Sequence, residues 1–302
     1  IRDLCASRGL GDVYKSQDIS YMNNMTNIEV EKIIDPTPAS DGAGVKLKRS
    51  IGVEPNYYDP FLMLDEFGSE NKDDYIAGFP PHPHRGIETV TYMLAGSFEH
   101  KDSTGGQGKM TAGDVQWMKT GSGIIHSEMP AMNDGKLHGF QLWINMPASE
   151  KMSKPEYHYI DSDKMSTHKD EDKFIKVIAG KFENSEGPIK KHNVDPIYFD
   201  VELNESKTFN HQVPSTHNSF IYLIEGEIEI GNNKHESVKD STLILLSKGE
   251  NLKVTALTNA KFLLISGKPI GEQIARGGPF VMNTKQEILQ AIDDYHNGNF
   301  VK

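Results

Sequence analysis

The 302-residue chain contains a single cysteine, Cys5, so it can form neither an intrachain disulfide nor a zinc site built on paired cysteines. It has no uninterrupted apolar run of about 18 residues, the minimum for a membrane-spanning helix. Its formal net charge of −11 gives no cationic surface of the kind that displaces counterions from nucleic acid. These absences predict a protein of a reducing cytoplasmic compartment, or of the nucleus in a eukaryote, without membrane or direct nucleic-acid partners.

The first 24 residues differ in pattern from the rest of the chain. They mix polar residues and glycine without periodicity and contain no apolar core of the signal-peptide type. Met22 and Met25 would each serve as a start, and patterned sequence follows directly after Met25. We interpret residues 1–24 as a leader, a cloning remnant or a mis-assigned start outside the fold, and we assign no function to Cys5.

From Ile28 onward, short runs rich in β-branched and aromatic residues recur between glycine turns. Many short strands without a long helical period predict an all-β fold, either a sandwich or a barrel. The C-terminus is the exception, because Thr284 and Glu287 form a capping-box pattern and Gly298 provides a stop. We predict a closing helix over residues 284–297.

A change in composition divides the chain into two halves. Residues 148–173 are crowded with Ser, Lys, Asp and Glu and include Pro155, as is typical of a linker. We therefore predict domains at residues 25–160 and 161–302. Both halves are rich in strands and similar in size, which suggests an internal duplication.

Two short segments carry pairs of metal-ligating side chains at positions i and i+2. Side chains two residues apart on a strand point to the same face of the sheet. Two such strands side by side would bring three imidazoles and one carboxylate to a single point. Although a lone strand histidine is more often a hydrogen-bonded structural residue, the paired pattern and its flanking glycines predict a metal site. The predicted ligands are His82, His84, His126 and Glu128.

This set of donors favours a metal of oxygen chemistry. Three imidazoles and a carboxylate without a thiolate do not suit a structural zinc site, which is usually closed and rich in cysteine. A histidine and carboxylate set with open positions is typical of non-haem iron. Fe(II) is therefore the first expectation, and Mn, Co, Ni, Cu or Zn would also bind such a site.

Three further residues are candidates to support the ligands. Glu88 shares the strand parity of the histidines before it, but Arg85-Gly86 is expected to break the strand with a bulge. We predict that Glu88 orients an imidazole or pairs with Arg85. His138 shares a face with Phe140, which favours a core residue or a supporting partner over a ligand. Four side chains are expected to wall an apolar pocket: Phe98, Trp117, Met118 and Trp143.

These motifs resemble those of the pirin family, within the cupin superfamily. The likeness rests on HPHRGIETVTY at 82–92 and GIIHSEMP at 123–130, and it extends to DPFLMLD at 59–65 and GGPFVMN at 277–283. It covers the chain from Met25 to the C-terminus. The resemblance implies a bicupin, in which two tandem cupin barrels are followed by a C-terminal helix.

The resemblance also implies which barrel binds iron. The implied site lies in the first barrel, at the positions that match His82, His84, His126 and Glu128. At the usual cupin glutamate position before Gly96 this chain carries Thr89, so the implied carboxylate ligand is Glu128.

The second barrel is implied to be free of metal. Carrying the first site onto the second half places Gln212, Pro214 and Leu252 where ligands would stand. His211 and His217 lie nearby, but their spacing does not place them on one strand face. We interpret them as two surface histidines.

Two kinds of function are known in the pirin family. One is quercetin 2,3-dioxygenase activity, in which O2 opens the central ring of a flavonol with loss of CO. The implied partners are then O2 and a small aromatic enol such as quercetin, and Glu128 would act as ligand and as base for the enol proton. The alternative is an iron-dependent, redox-sensing regulator that binds a transcription factor or a metabolic enzyme without catalysis. The intact ligand set favours the enzyme.

Overall fold

The computed structural model of the protein describes residues 26–52, 58–132, 134–190, 192–231, 233–235 and 241–301. The interpretation of residues 1–24, including Cys5, falls outside these ranges. Within them, the chain is built from antiparallel strands and ends in one α-helix, which confirms the predicted all-β class with a closing helix.

The first half of the chain forms a seven-stranded and a four-stranded sheet. Its strands are β1 (Val30–Ile34), β2 (Thr37–Asp41), β3 (Val45–Ile51), β4 (Phe61–Ser69), β5 (Phe79–His84), β6 (Ile87–Ala95), β7 (Phe98–Asp102), β8 (Gln107–Met110), β9 (Val115–Lys119), β10 (Ile124–Pro130), β11 (Leu137–Asn145) and β12 (Glu156–Ile160). The larger sheet has the order β12-β9-β6-β11-β4-β3-β2 and the smaller one β5-β10-β7-β8. One 3-10 turn covers Lys72–Asp74.

The second half repeats the same pair of sheet sizes. Its elements are the 3-10 turn Ser162–Lys164, β13 (Ser166–Lys169), β14 (Lys173–Ala179), β15 (Lys181–Phe182), β16 (Ser185–Glu186), β17 (Ile197–Leu203), β18 (Thr208–Gln212), β19 (Asn218–Glu225), β20 (Ile228–Ile230), β21 (Asn233–His235), β22 (Thr242–Leu246), β23 (Asn251–Ala256), β24 (Ala260–Gly267), β25 (Ala275–Gly277), β26 (Phe280–Met282) and α1 (Lys285–His296). The larger sheet has the order β1-β22-β19-β24-β17-β14-β13 and the smaller one β18-β23-β20-β21. Two further hairpins pair β15 with β16 and β25 with β26.

The two seven-stranded sheets pack against each other through one apolar core. Successive side chains of a strand alternate between the two faces of its sheet. Val90 and Tyr92 of β6 and Phe140 and Leu142 of β11 share this core with Tyr222 of β19. The intervening residues of β6 and β11 therefore face away from the second half, toward the interior of the first barrel.

Each half of the chain contributes a segment that packs on the other half. Strand β1 belongs to the first half in sequence but pairs with β22, with Ile34 opposite Leu243. In return, β26 approaches the first barrel, where the Val281 amide donates to the Arg85 carbonyl at 3.0 Å. The predicted boundary at residue 160 remains a prediction. Residues on either side of it pair with the other half, since β1 joins β22 and Phe280 of β26 bridges to Arg85.

The C-terminal helix has the predicted cap. The Glu287 amide donates to Thr284 Oγ1 at 3.2 Å, and the Thr284 amide donates to Glu287 Oε2 at 2.8 Å. This capping box satisfies two of the amide donors that a helix start leaves without partners. Among the described helices, none is both long and apolar enough to cross a bilayer.

Candidate metal centre

Strands β5 and β10 bring three histidines together. The strands pair antiparallel, with His126 opposite His82 and Ile124 opposite His84. The ring centroids lie 4.8 Å apart for His82 and His84, 4.3 Å for His82 and His126, and 5.0 Å for His84 and His126. One nitrogen from each ring lies within 4.8 Å of the other two, so the three rings could hold one metal ion.

The ring nitrogens are left available in a way that fits a metal. Pro80 O lies 2.8 Å from Nδ1 of His82, which leaves Nε2 of that ring for another partner. Nδ1 of His84 and both ring nitrogens of His126 are buried without a hydrogen-bond partner among the described residues. Buried polar atoms are rarely left in this state, because the loss of hydration is not repaid. A bound metal ion would satisfy the His84 nitrogen and one of the two His126 nitrogens.

The surroundings also keep the imidazoles neutral, as metal ligation requires. Burial lowers the pKa of His84 well below the ordinary value of 6.5, and the neighbouring His82 lowers it further. Burial likewise lowers the pKa of His126, with added repulsion from His84, His82 and His100. At neutral pH both rings therefore present lone pairs.

Glu128 lies beside this cluster but outside the group of three histidines. The pairing of β10 with β5 is irregular between His126 and Glu128, so Glu128 stands opposite Phe79. Its Oε1 accepts a hydrogen bond of 2.8 Å from the Thr91 hydroxyl. Its role as the fourth ligand stays a prediction.

Glu88 has a structural role away from the three histidines. Strand β5 ends at His84, Gly86 has a φ of 78°, and Glu88 then lies on β6 with its carboxylate toward the second half. That carboxylate accepts hydrogen bonds from Trp117 Nε1 and His192 Nε2, and it does not pair with Arg85. The physical reason is that the chain changes sheets at the break, so shared parity no longer means a shared face.

Arg85 and His138 also turn away from the three histidines. Arg85 Nη1 donates to Asp294 of α1 at 2.7 Å, and its guanidinium packs over the Phe300 ring. His138 shares the inter-barrel face of β11, where its Nε2 lies 2.8 Å from Glu66 Oε1. The core interpretation of His138 agrees with this position, whereas the expected support of the metal ligands by either residue is wrong.

The sequence reasoning missed His100, which lies next to the cluster. Its ring centroid is 5.5 Å from that of His126, and it stacks on Tyr157 at 4.6 Å. Its nitrogens are occupied, since Nε2 lies 2.9 Å from Asp102 Oδ2 and Nδ1 lies 3.0 Å from Gln116 Nε2. The available signal was the His-x-Asp pair of β7, which has the same i, i+2 spacing as the recognised motifs.

A cavity of about 650 Å³ opens onto His82, His84 and Glu128. Its other walls come mainly from β3, β4 and β11 and from the loop between β25 and β26. Residues of those walls include Leu47, Arg49, Met63, Asp65, Phe67, Gln141, Trp143, Arg276 and Pro279. Of the predicted aromatic wall, Trp143 lines the cavity, while Trp117 lies in the inter-barrel core and Phe98 in a separate cluster. Met118 is buried and does not line the cavity.

The matching part of the second barrel is filled with apolar side chains. Leu252 of β23 stands opposite His211 of β18, as His126 stands opposite His82. Phe199 and Phe209 pack beside His211, and burial lowers the pKa of that histidine to about 4. The description of His217 as a surface residue is wrong, because it is buried and its Nδ1 lies 3.0 Å from Ser266 Oγ.

Comparison with known proteins gives matches in both halves. The family model described as Pirin matches residues 44–144, and that described as Pirin C-terminal cupin domain matches residues 198–301. A pirin-like protein of Caulobacter vibrioides is 44% identical over 274 residues, which cover 90% of this chain and 98% of that protein. Pirin of Homo sapiens is 38% identical over 263 residues, which cover 85% of this chain and 89% of that protein.

A solved structure also matches this chain across both halves. The quercetin 2,3-dioxygenase of Acinetobacter baumannii matches with a TM-score of 0.83 at 31% identity, over 91% of this chain and 99% of that one. The predicted pair of cupin domains is thereby confirmed. With two family models and near-complete coverage of its relatives, the chain belongs to the pirin family.

Proposed function

We propose that the protein is a metal-dependent dioxygenase of the quercetin 2,3-dioxygenase type, which opens the central ring of an aromatic enol with O2 and releases CO. The observation that carries the proposal is the group of buried imidazole nitrogens without partners at the end of a large cavity. The likeness to the dioxygenase of Acinetobacter baumannii supports it.

His82, His84 and His126 would hold the metal, with Glu128 as the proposed fourth ligand. Bound Fe(II), the metal that we propose, would supply redox chemistry with O2 and a Lewis acid for the enol oxygen. Mn, Co, Ni, Cu and Zn also accept nitrogen and oxygen donors of this kind, so the donor set does not select among them by affinity.

The residues of the chain would bind and orient the substrate. Phe67, Met63 and Trp143 give the cavity apolar walls that suit a planar ring system and exclude water from it. Glu128 would take the enol proton on its carboxylate. The Thr91 hydroxyl donates to Oε1 of that carboxylate and so fixes its orientation.

The test is anaerobic loading with Fe(II), followed by measurement of iron per chain, O2 uptake and CO release with quercetin. We expect about one iron per chain and turnover in the wild type, and loss of both in His84→Ala. His158→Ala is the matched control, because this histidine lies on β12 with half of its side chain exposed and outside the cavity. It should behave as the wild type does.

Two results would contradict the proposal. If the wild type binds iron but consumes no O2 with quercetin or related enols, the protein is better described as an iron-dependent regulator that acts by binding another protein. If neither the wild type nor His84→Ala binds metal, the site itself is wrong.

A further inference from the structure

The wall of the cavity away from the histidines carries two half-buried arginines, Arg49 and Arg276, and one buried carboxylate, Asp65. Arg49 Nε and Nη2 donate to the two oxygens of Asp65, at 2.8 and 2.6 Å. Asp65 is 2% exposed, so this bidentate pair uses the carboxylate fully. Asp41 also approaches Arg49, at 3.2 Å, but its side chain is 54% exposed and water screens its charge.

Arg276 is the second guanidinium at this wall. Its Nη1 donates to the Leu62 carbonyl at 3.2 Å, and no carboxylate of the described residues forms an ion pair with it. Burial lowers the pKa of Arg276, the Arg49 guanidinium lowers it further, and Asp65 offsets only part of this. Arg276 nevertheless stays charged at neutral pH, because the pKa of arginine lies far above 7. It has donors beyond the one that binds Leu62, and little negative charge lies around it.

Trp143 connects Arg276 to the metal-binding end of the cavity. The guanidinium carbon of Arg276 lies 5.1 Å from the centroid of the indole ring. The same indole meets the His84 ring edge-on, with centroids 5.1 Å apart. A planar ligand held at the histidines and lying along Trp143 would bring its far ring to Arg276.

We propose that Arg276 and the adjoining wall form a subsite for a negatively charged oxygen group, a carboxylate or a phenolate, on the part of the substrate remote from the metal. Arginine suits this task because its planar fork binds two oxygens at once and stacks on an aromatic face. The inference rests on the proposed function for the direction of the ligand. It narrows the substrate class to aromatic enols that carry an acidic group.

The test compares two ligands of the same shape: 3-hydroxyflavone with a 4′-carboxylate and 3-hydroxyflavone with a neutral 4′-carboxamide. Each is titrated by calorimetry into zinc-loaded protein, where binding is measured without redox turnover. We expect the wild type to bind the carboxylate about tenfold to a hundredfold more tightly, as a hydrogen bond to a charged group allows. Arg276→Gln should bring this ratio close to one, and Arg276→Lys should keep part of the preference.

Lys268→Gln is the matched control for net charge. Lys268 lies in the segment that precedes Arg276, is exposed and does not line the cavity. Its loss should leave the preference intact. The subsite is overturned if the wild type binds both ligands equally, if Arg276→Gln retains the preference, or if Lys268→Gln removes it to the same extent.

Turnover by the iron-loaded enzyme tests the subsite and the proposed dioxygenase activity separately. O2 consumption without any preference for the carboxylate would overturn the subsite and leave the dioxygenase standing. A preference that depends on Arg276, with no O2 consumption on either ligand, would support the subsite and remove the dioxygenase.

Discussion

Three side chains form a short polar chain beside the three histidines. The Thr91 hydroxyl lies 2.8 Å from Glu128 Oε1 and 2.8 Å from Gln141 Oε1. Because a hydroxyl carries one hydrogen, it cannot donate to both oxygens. All three groups are satisfied when the Gln141 amide is turned so that its NH2 donates to Thr91 and Thr91 donates to Glu128. Thr91 then holds the carboxylate in one orientation.

We predict that Thr91→Val weakens metal binding and lowers kcat, each by about tenfold, because the carboxylate of Glu128 loses its fixed orientation. Metal affinity is measured by competition with a chelator and kcat by O2 uptake. Thr89→Val is the matched control, since Thr89 lies on the same face of the same strand and its buried hydroxyl has no partner among the described residues. Equal losses of metal affinity and kcat in the two variants would show that the hydrogen bond to Glu128 is not the cause of the effect.

The approach of the three histidines to one another could be predicted from the sequence, but the residues around them could not. The i, i+2 rule identifies side chains that share a face within one strand, which was enough for His82 and His84. It does not say which face of a second strand points toward the same site. Glu88 and His138 each kept two interpretations for this reason, and the structure turns both into the core between the barrels.

At the scale of elements, the C-terminal segment closes the barrel that holds the three histidines. The loop between β25 and β26 lines the cavity, and β26 lies against the end of β5. Two buried cations hold this segment in place. Arg85 donates to Asp294 of α1, and Lys151 Nζ donates to the Val281 carbonyl at 2.8 Å. The site is thus completed by residues distant in sequence.

We predict that Asp294→Asn lowers the free energy of unfolding by about 1.5–3 kcal/mol, because the Arg85 guanidinium, 1% exposed, loses its charged partner. Asp293→Asn on the exposed side of the same helix should change it by less than about 0.5 kcal/mol. Urea unfolding followed by circular dichroism measures both. A loss in Asp294→Asn no larger than that in Asp293→Asn would mean that the ion pair does not hold the helix.

At the scale of the whole molecule, the capping box and strand runs were readable from the sequence, but the exchange of segments was not. The local sequence of a strand such as β1 does not indicate which sheet the strand joins. Its choice of β22 depends on contacts between residues far apart in sequence. Leu252 did indicate the apolar filling of the second barrel, because a leucine in place of a ligand removes the donor atom and fills the space.

Polar contacts also cross the core between the two barrels. Glu66 of β4 is buried, and Tyr222 of β19 donates to its Oε2 at 3.0 Å. The Ser241 hydroxyl donates to Oε1 at 2.9 Å, and His138 Nε2 lies 2.8 Å from the same oxygen. A buried carboxylate with this many partners ties the orientation of one barrel to the other.

We predict that Tyr222→Phe lowers the free energy of unfolding by about 1.5–3 kcal/mol at pH 7, because a buried charged acceptor loses a donor. Tyr198→Phe is the control. Tyr198 is buried in the same core, but its hydroxyl has no partner in the described part of the chain, so its removal should be neutral or stabilising. Urea unfolding of both variants compares the two hydroxyls.

The effect of Tyr222→Phe should also depend on pH. Burial acts to raise the pKa of Glu66, but hydrogen bonds from His138, Ser241 and Tyr222 outweigh it, so the pKa lies below the ordinary value of 4.5. A carboxyl group with a lowered pKa in the folded state contributes stability above its unfolded pKa, and this contribution fades as the pH falls through the folded value. The deficit of Tyr222→Phe should therefore be constant from pH 7 down to about 5 and shrink below 4.5. A deficit that stays unchanged to pH 3 would show that the phenol acts by packing rather than through the charge of Glu66.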